Sequence, residues 1–157
     1  MDDRLIVTAS PHIRDNATTR GLMGNVLIAL VPSIVASGLI FGIRAILLTA
    51  VTTLACVVFE YLYCKLMHKP NPVGDLSACV TGVILALNMP VNMPLWIAIV
   101  GALVAIVIIK QLFGGLGYNF ANPALVGRIV LFLGFTSRMT AYVYPDMSVD
   151  ALASATP

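Results

Sequence analysis

Val26-Leu-Ile-Ala-Leu-Val-Pro-Ser-Ile-Val-Ala-Ser-Gly-Leu-Ile-Phe-Gly-Ile43 contains no charged residue. Its apolar residues form a block, not a stripe, so no helical face of it would tolerate water. Ala45–Tyr63 and Leu95–Ile109 have the same character, with Glu60 the one charge between them. A bilayer core calls for roughly 20 apolar residues per crossing helix. Only 10% of the chain is charged and 59% is hydrophobic, against about 25% charged in a soluble domain. With a mean hydropathy of +0.97, an all-α integral membrane protein is expected. Lipid is then an obligate partner, and no nucleic acid is expected.

The flanks are of another kind. Residues 1–25 carry Asp2, Asp3, Arg4, His12, Arg14, Asp15 and Arg20 and lack the apolar core of a cleavable signal. Cys56, Cys64 and Cys79 match no zinc or iron–sulfur spacing and read as packing residues.

Five apolar segments follow one another. The first runs from near Asn25 to Arg44 and the second from Ala45 to Met67, ending in the turn-rich His68-Lys-Pro-Asn-Pro-Val-Gly74. Leu76–Leu87 reaches only about 18 Å at 1.5 Å per residue, short of a core of about 30 Å. It meets Asn88-Met-Pro-Val-Asn-Met-Pro94, which no continuous helix would contain. Leu95–Leu112 has full length, and Ala124–Phe135 is short again. Two short segments interrupted by Gly and Pro suggest discontinuous helices whose ends bind polar groups at depth; short tilted spans are the plainer alternative. The expected organisation is an N-terminal segment 1–24, a transmembrane bundle 25–136 and a polar tail 137–157.

If the N-terminus is cytoplasmic and all five segments cross, Arg4, Arg14, Arg20, Lys65, Lys69, Lys110 and Arg128 lie inside and only Arg44 and Arg138 outside. That agrees with the positive-inside rule. It places the glycine-rich loop in the cytoplasm and the tail outside.

That loop is Phe113-Gly-Gly-Leu-Gly-Tyr-Asn-Phe-Ala-Asn-Pro-Ala-Leu-Val-Gly-Arg128. Gly115 and Gly117 allow positive φ and close approach of a ligand to the backbone. Asn119 and Asn122, three apart, offer paired carboxamides that suit a ring of alternating N–H and C=O groups, such as a flavin or pyrimidine. Spacing alone favours another role: Asn122 as helix N-cap, Pro123 at the first helical position, glycines as the turn. In the tail, Thr156 is flanked by small residues, so its hydroxyl is sterically open; by itself this reads as an ordinary loop.

Taken together, these residues resemble the D subunit of the Rnf electron-transport complex (ferredoxin:NAD oxidoreductase) and its relative, the B subunit of the sodium-translocating NADH:quinone oxidoreductase. The likeness covers nearly the whole chain: Ser10-Pro-His-Ile-Arg14, Asp75-Leu-Ser, Leu87-Asn-Met-Pro, Leu95-Trp96 and, most specifically, Phe113 to Arg128. The resemblance implies half of an inverted-repeat, urea-channel-like bundle. It implies FMN held by a phosphoester on Thr156, within a motif formed here by Asp150, Ala153, Ser154 and Ala155. Ala153 departs from the family's hydroxyl residue and Ser154 from its glycine, both small replacements. It also implies a second, non-covalent flavin, riboflavin, facing Asn119 and Asn122, which overturns the capping reading. Family members are about twice this length, so an N-terminal half is expected.

The activity implied is electron transfer across a prokaryotic cytoplasmic membrane within an ion-translocating oxidoreductase. The implied partners are the flavin-bearing G subunit, the A and E membrane subunits, the cytoplasmic B and C subunits, and Na⁺ or H⁺. Arg138 is a candidate to neutralise the tethered phosphodiester, or else marks the end of a span. Glu60 and Asp75, the acids near apolar segments, are ion-pathway candidates; pairing with Lys65, Lys69 or Arg128 is the plainer role. A channel or transporter without redox function, and a passive scaffold, are the competing readings.

Overall fold

The computed structural model describes residues 18–68 and 72–143. The flavin-motif residues Asp150, Ser154 and Thr156, and Ser10–Arg14, lie outside them. Every regular element among the described residues is helical. The helices are α1 (Thr19–Phe41), α2 (Ile43–Leu66), α3 (Ser77–Leu87), α4 (Leu95–Leu103, continuing as a π-helix over Val104–Gln111), α5 (Pro123–Gly134) and the single turn α6 (Thr136–Met139). A 3₁₀ turn, Pro72–Asp75, precedes α3.

α1 and α2 are long and apolar enough to cross a membrane. Their 23 and 24 residues give about 35 Å each at 1.5 Å per residue. α3, α5 and the α4–π helix are shorter, and the loop 88–94 between α3 and α4 is non-helical, as its prolines require. α1 begins at Thr19, ahead of the expected Asn25, because Thr18 caps it: its Oγ1 accepts the Gly21 N–H at 3.2 Å. α1 buries none of its residues completely. Leu39 is 83% and Ile28 69% exposed, a surface suited to lipid or to a partner, not to water. Such an architecture is consistent with a membrane protein.

α2 is the hub, packed most heavily against α3 and α4. Small residues permit the close approach. A Cβ on Gly82 of α3 would lie 2.6 Å from the Thr53 Cα of α2, and one on Gly127 of α5 would lie 3.2 Å from the Gly101 carbonyl of α4. Around these crossings sit Leu48, Leu85, Met93, Ile97, Ala105 and Leu131. Cys56 of α2 joins Ala78, Ala102 and Ile106 in a second cluster, so it packs as expected. Among the described residues no group of His, Cys, Asp and Glu is arranged to hold a metal.

Successive helices alternate in direction. Arg44 donates to the Val91 carbonyl at 3.2 Å, and Phe41, Val91 and Tyr142 line one recess; these mark one end. Lys110, Ser77, Leu116 and Met23 meet at the other. Two charges sit otherwise than expected. Lys110 is not an interfacial cation but is buried at 2% exposure. Arg128 points towards the Arg44 end, its Nη1 donating to Asn88 Oδ1 at 3.0 Å. The expected seven-to-two bias loses both, because one cation is neutralised inside and the other reaches across.

Candidate functional site

The turn after the π-helix forms because three glycines take conformations closed to most L side chains. Gly114, Gly115 and Gly117 have φ of 109°, 92° and 91°. The Gly115 N–H donates to the Lys110 carbonyl at 2.9 Å, satisfying one orphan acceptor of the helix end. Phe113 and Phe120 close the loop edge-to-face, with centroids 4.8 Å apart. Gly115 and Gly117 have no atom within 4 Å of an added Cβ, so their glycine identity answers to backbone conformation alone.

Both asparagines have capping work. Asn122 Oδ1 accepts the Ala124 N–H at 3.0 Å, with Pro123 at the first turn of α5. With its amide nitrogen turned towards the helix end, Asn119 donates to the carbonyls of Ile109 (3.2 Å), Lys110 (3.1 Å) and Gly115 (3.1 Å). Each cap uses one end of its amide: the Asn122 nitrogen and the Asn119 oxygen are left for other work. Capping and ligand binding are thus compatible, a combination that spacing presented as a choice.

The loop packs over α3 beside an open-sided cavity of about 330 Å³ lined by Asn119, Asn122, Lys110, Ser77, Thr81 and Met23, among others. That lies at the small end of the range of about 300–1,000 Å³ for ligand pockets. Its wall combines apolar side chains with a few convergent polar groups.

Beneath it lies a buried polar network. Lys110 Nζ donates to Glu60 Oε1 and to Ser77 Oγ, each at 2.5 Å. Gln111 Nε2 donates to the same Glu60 oxygen at 2.7 Å. Asp75 Oδ1 accepts from the Ser77 N–H at 2.9 Å and from its hydroxyl at 2.5 Å, which caps α3. Glu60 is 0% exposed and its Oε2 has no hydrogen-bond partner. Glu60 therefore pairs with Lys110, and not with Lys65 or Arg128; the Lys65 ammonium instead lies 5.9 Å from the Tyr61 ring centre, and Lys69 lies outside the described residues. Asp75 joins the same network through Ser77.

The gathering of Lys110, Gln111 and Ser77 around Glu60 went unread in the sequence. The available signal was charge parity: Glu60 and Lys110 are the lone opposite charges in or at the end of two apolar blocks. Such charges must find each other or stay in water. Arg138 lies on α6 at the opposite end, exposed.

The profile of the NQR2, RnfD, RnfE family matches residues 6–157. The chain is 46% identical over 98% of its length to the D subunit of the Na⁺-translocating ferredoxin:NAD⁺ oxidoreductase complex of Acetobacterium woodii, covering 48% of that protein. It is 36% identical over 96% of its length to the D subunit of the proton-translocating counterpart in Clostridium ljungdahlii, covering 46% of it. It is also 36% identical over 94% of its length to the D subunit of an ion-translocating oxidoreductase complex of Shewanella denitrificans, covering 44%. The chain spans about half the length of the curated relatives it matches. With a match that runs from the polar N-terminal segment through the glycine loop to the end of the tail, the chain belongs to the NQR2, RnfD, RnfE family.

Proposed function

We propose that this chain supplies the N-terminal half of an electron-transfer subunit in an ion-translocating ferredoxin:NAD⁺ oxidoreductase complex. In this reading a flavin, riboflavin, occupies the cavity under the glycine loop, and FMN is carried on Thr156. The observation that carries the proposal is the convergence of Asn119 and Asn122 with Lys110 over one cavity.

The donor set fits an isoalloxazine ring. The free Asn122 amide nitrogen would serve as donor and the free Asn119 carbonyl as acceptor to such a ring, and Lys110 would supply a cation beside it. A bound flavin supplies electron transfer in one- or two-electron steps; the protein supplies position, exclusion of water and electrostatics.

Thr156 follows α6 in the sequence, and α6 lies at the Arg44 end of the helix alternation, across the bundle from the cavity. In this reading the chain would hold one flavin near each end of the bundle, so that electrons would cross between the two membrane faces. The orientation proposed is N-terminus cytoplasmic and Thr156 extracytoplasmic, in a prokaryotic cytoplasmic membrane. The neighbours are other Rnf subunits: the flavin-bearing G subunit for the tail, the A and E subunits for the bundle, and B and C on the cytoplasmic side. Glu60 and Asp75, joined through Lys110 and Ser77, are the groups that would handle Na⁺ or H⁺.

Peptide mass spectrometry over residues 147–157 tests the covalent site: the mass of FMN is expected on Thr156. Extraction of the native complex tests the other, with one non-covalent flavin expected per copy. A colourless protein with unmodified Thr156 replaces this function with that of a channel.

A further inference from the structure

Lys110 belongs to two places at once. It lines the cavity together with Ser77, and its ammonium sits 2.5 Å from Glu60 Oε1 in the interior. Glu60 Oε1 already takes two donors, Lys110 and Gln111. Its Oε2 takes none, although the residue is wholly buried. A bare carboxylate oxygen in a dry site is costly unless something neutralises it; this half-satisfied carboxylate has the chemistry of a site for a small cation. Thr53 Oγ1, the other buried side-chain oxygen without a hydrogen bond among the described residues, lies two turns earlier on the same face of α2.

The backbone that carries Lys110 is itself unusual. Val104–Gln111 is π-helical, with the Leu112 N–H reaching back five residues to the Val107 carbonyl at 3.1 Å. The wider π turn reduces the angle between consecutive side chains, so that neighbours Lys110 and Gln111 both reach one oxygen of Glu60. Such segments are rare and occur mostly at functional sites.

We propose that Lys110 is an electrostatic switch between the cavity and Glu60. When the occupant of the cavity becomes anionic, Lys110 turns its charge towards it, and Glu60 takes up one monovalent cation, Na⁺ or H⁺, in place of the ammonium. The switch rests on the flavin assignment above. The charges balance: one electron enters the cavity from a neighbouring redox centre of the complex, and one cation enters at Glu60. When the electron leaves, Lys110 returns to Glu60 and the cation is released. Other titratable groups around the pair include Cys56 and Cys64 on α2, Cys79 on α3 and Asp75, which bonds Ser77.

The test is potentiometric titration of the non-covalent flavin in the intact complex, with Na⁺ varied at fixed pH and pH varied at fixed Na⁺. One cation coupled to one electron shifts the midpoint potential by about 59 mV per tenfold change in that cation; a Na⁺ slope assigns the site to Na⁺, and a pH slope assigns it to H⁺ only if Glu60→Gln removes it, because a ring protonated on reduction keeps a pH slope of its own. Lys110→Met and Glu60→Gln are expected to abolish the slope, read on the flavin that each variant retains. The double variant Glu60→Gln/Lys110→Met leaves no unpaired charge, so it serves where a single variant fails to assemble, and it too is expected to show no slope. A double variant that keeps flavin and keeps the slope overturns the switch. So does a flavin-bearing wild type with no slope against either ion. A wild-type complex without a non-covalent flavin overturns the flavin assignment first, and the switch with it.

Discussion

Replacing Lys110 by methionine keeps most of the length and apolar stem of the side chain and removes its ammonium. Glu60 then keeps the Gln111 hydrogen bond at 2.7 Å but loses its counter-charge, with none of its surface in contact with water. Breaking a buried ion pair from one side costs about 3–5 kcal/mol, because the surviving charge stays desolvated. Glu60→Gln should cost a similar amount for the mirror reason: Lys110 is left 2% exposed with Ser77 Oγ as its acceptor. Removing both charges together is different. The double variant loses both Lys110 hydrogen bonds and the charge assistance of the Gln111 bond, but it leaves no unpaired charge and should cost only about 1–3 kcal/mol. A double-mutant cycle by equilibrium unfolding in mixed micelles measures the coupling. Single variants within about 1 kcal/mol of wild type, or a double variant as unstable as the sum of the singles, would refute a desolvated pair; water would then have to reach Glu60.

Three further outcomes follow from the geometry. Asn122→Ala should lose the α5 cap at about 1 kcal/mol, whereas Asn122→Asp keeps the accepting oxygen and loses only the amide donor; unfolding should separate the two, and both should release the non-covalent flavin on extraction. Gly115→Ala and Gly117→Ala meet no neighbour, so each should cost only the left-handed backbone penalty of about 1–2 kcal/mol, and a larger loss of stability would show that the loop contacts something else in the complex. Gly82→Val drives a side chain into the α2 backbone at Thr53 and should cost at least the overpacking range of about 1–3 kcal/mol, while Gly101→Ala meets only the flexible Leu131 side chain and should be milder when compared in the same unfolding assay.

The order of the main helices was legible because it depends on local quantities. Uncharged blocks set the helices, and Arg44 and the proline-containing loop 88–94 set their breaks, each within a residue or two of the observed ends of α2, α3 and α5; that the α1–α2 break falls at Gly42 was not read. α1 was misjudged by more, since its cap at Thr18 lies in a stretch without hydrophobic signal. The two asparagines were legible as residues with a purpose. Whether that purpose was capping or binding was not, because both use the same amide and the structure lets each end serve separately.

What composition and order indicated by themselves is the solvent: a chain with so few charges suits lipid, where the backbone must satisfy its own polar groups, and its long uncharged blocks suit helices over barrel strands. The pairing of charges was decided elsewhere. Glu60 and Lys110 are fifty residues apart, and neither has a local feature naming the other. Arg128 likewise finds Asn88 forty residues away. Which pairs form depends on how α2, α3 and the π segment cross, through contacts at Gly82 and Gly101 that carry no sequence period. In a medium without water to solvate an ion, that crossing turns two isolated charges into one buried network under the cavity.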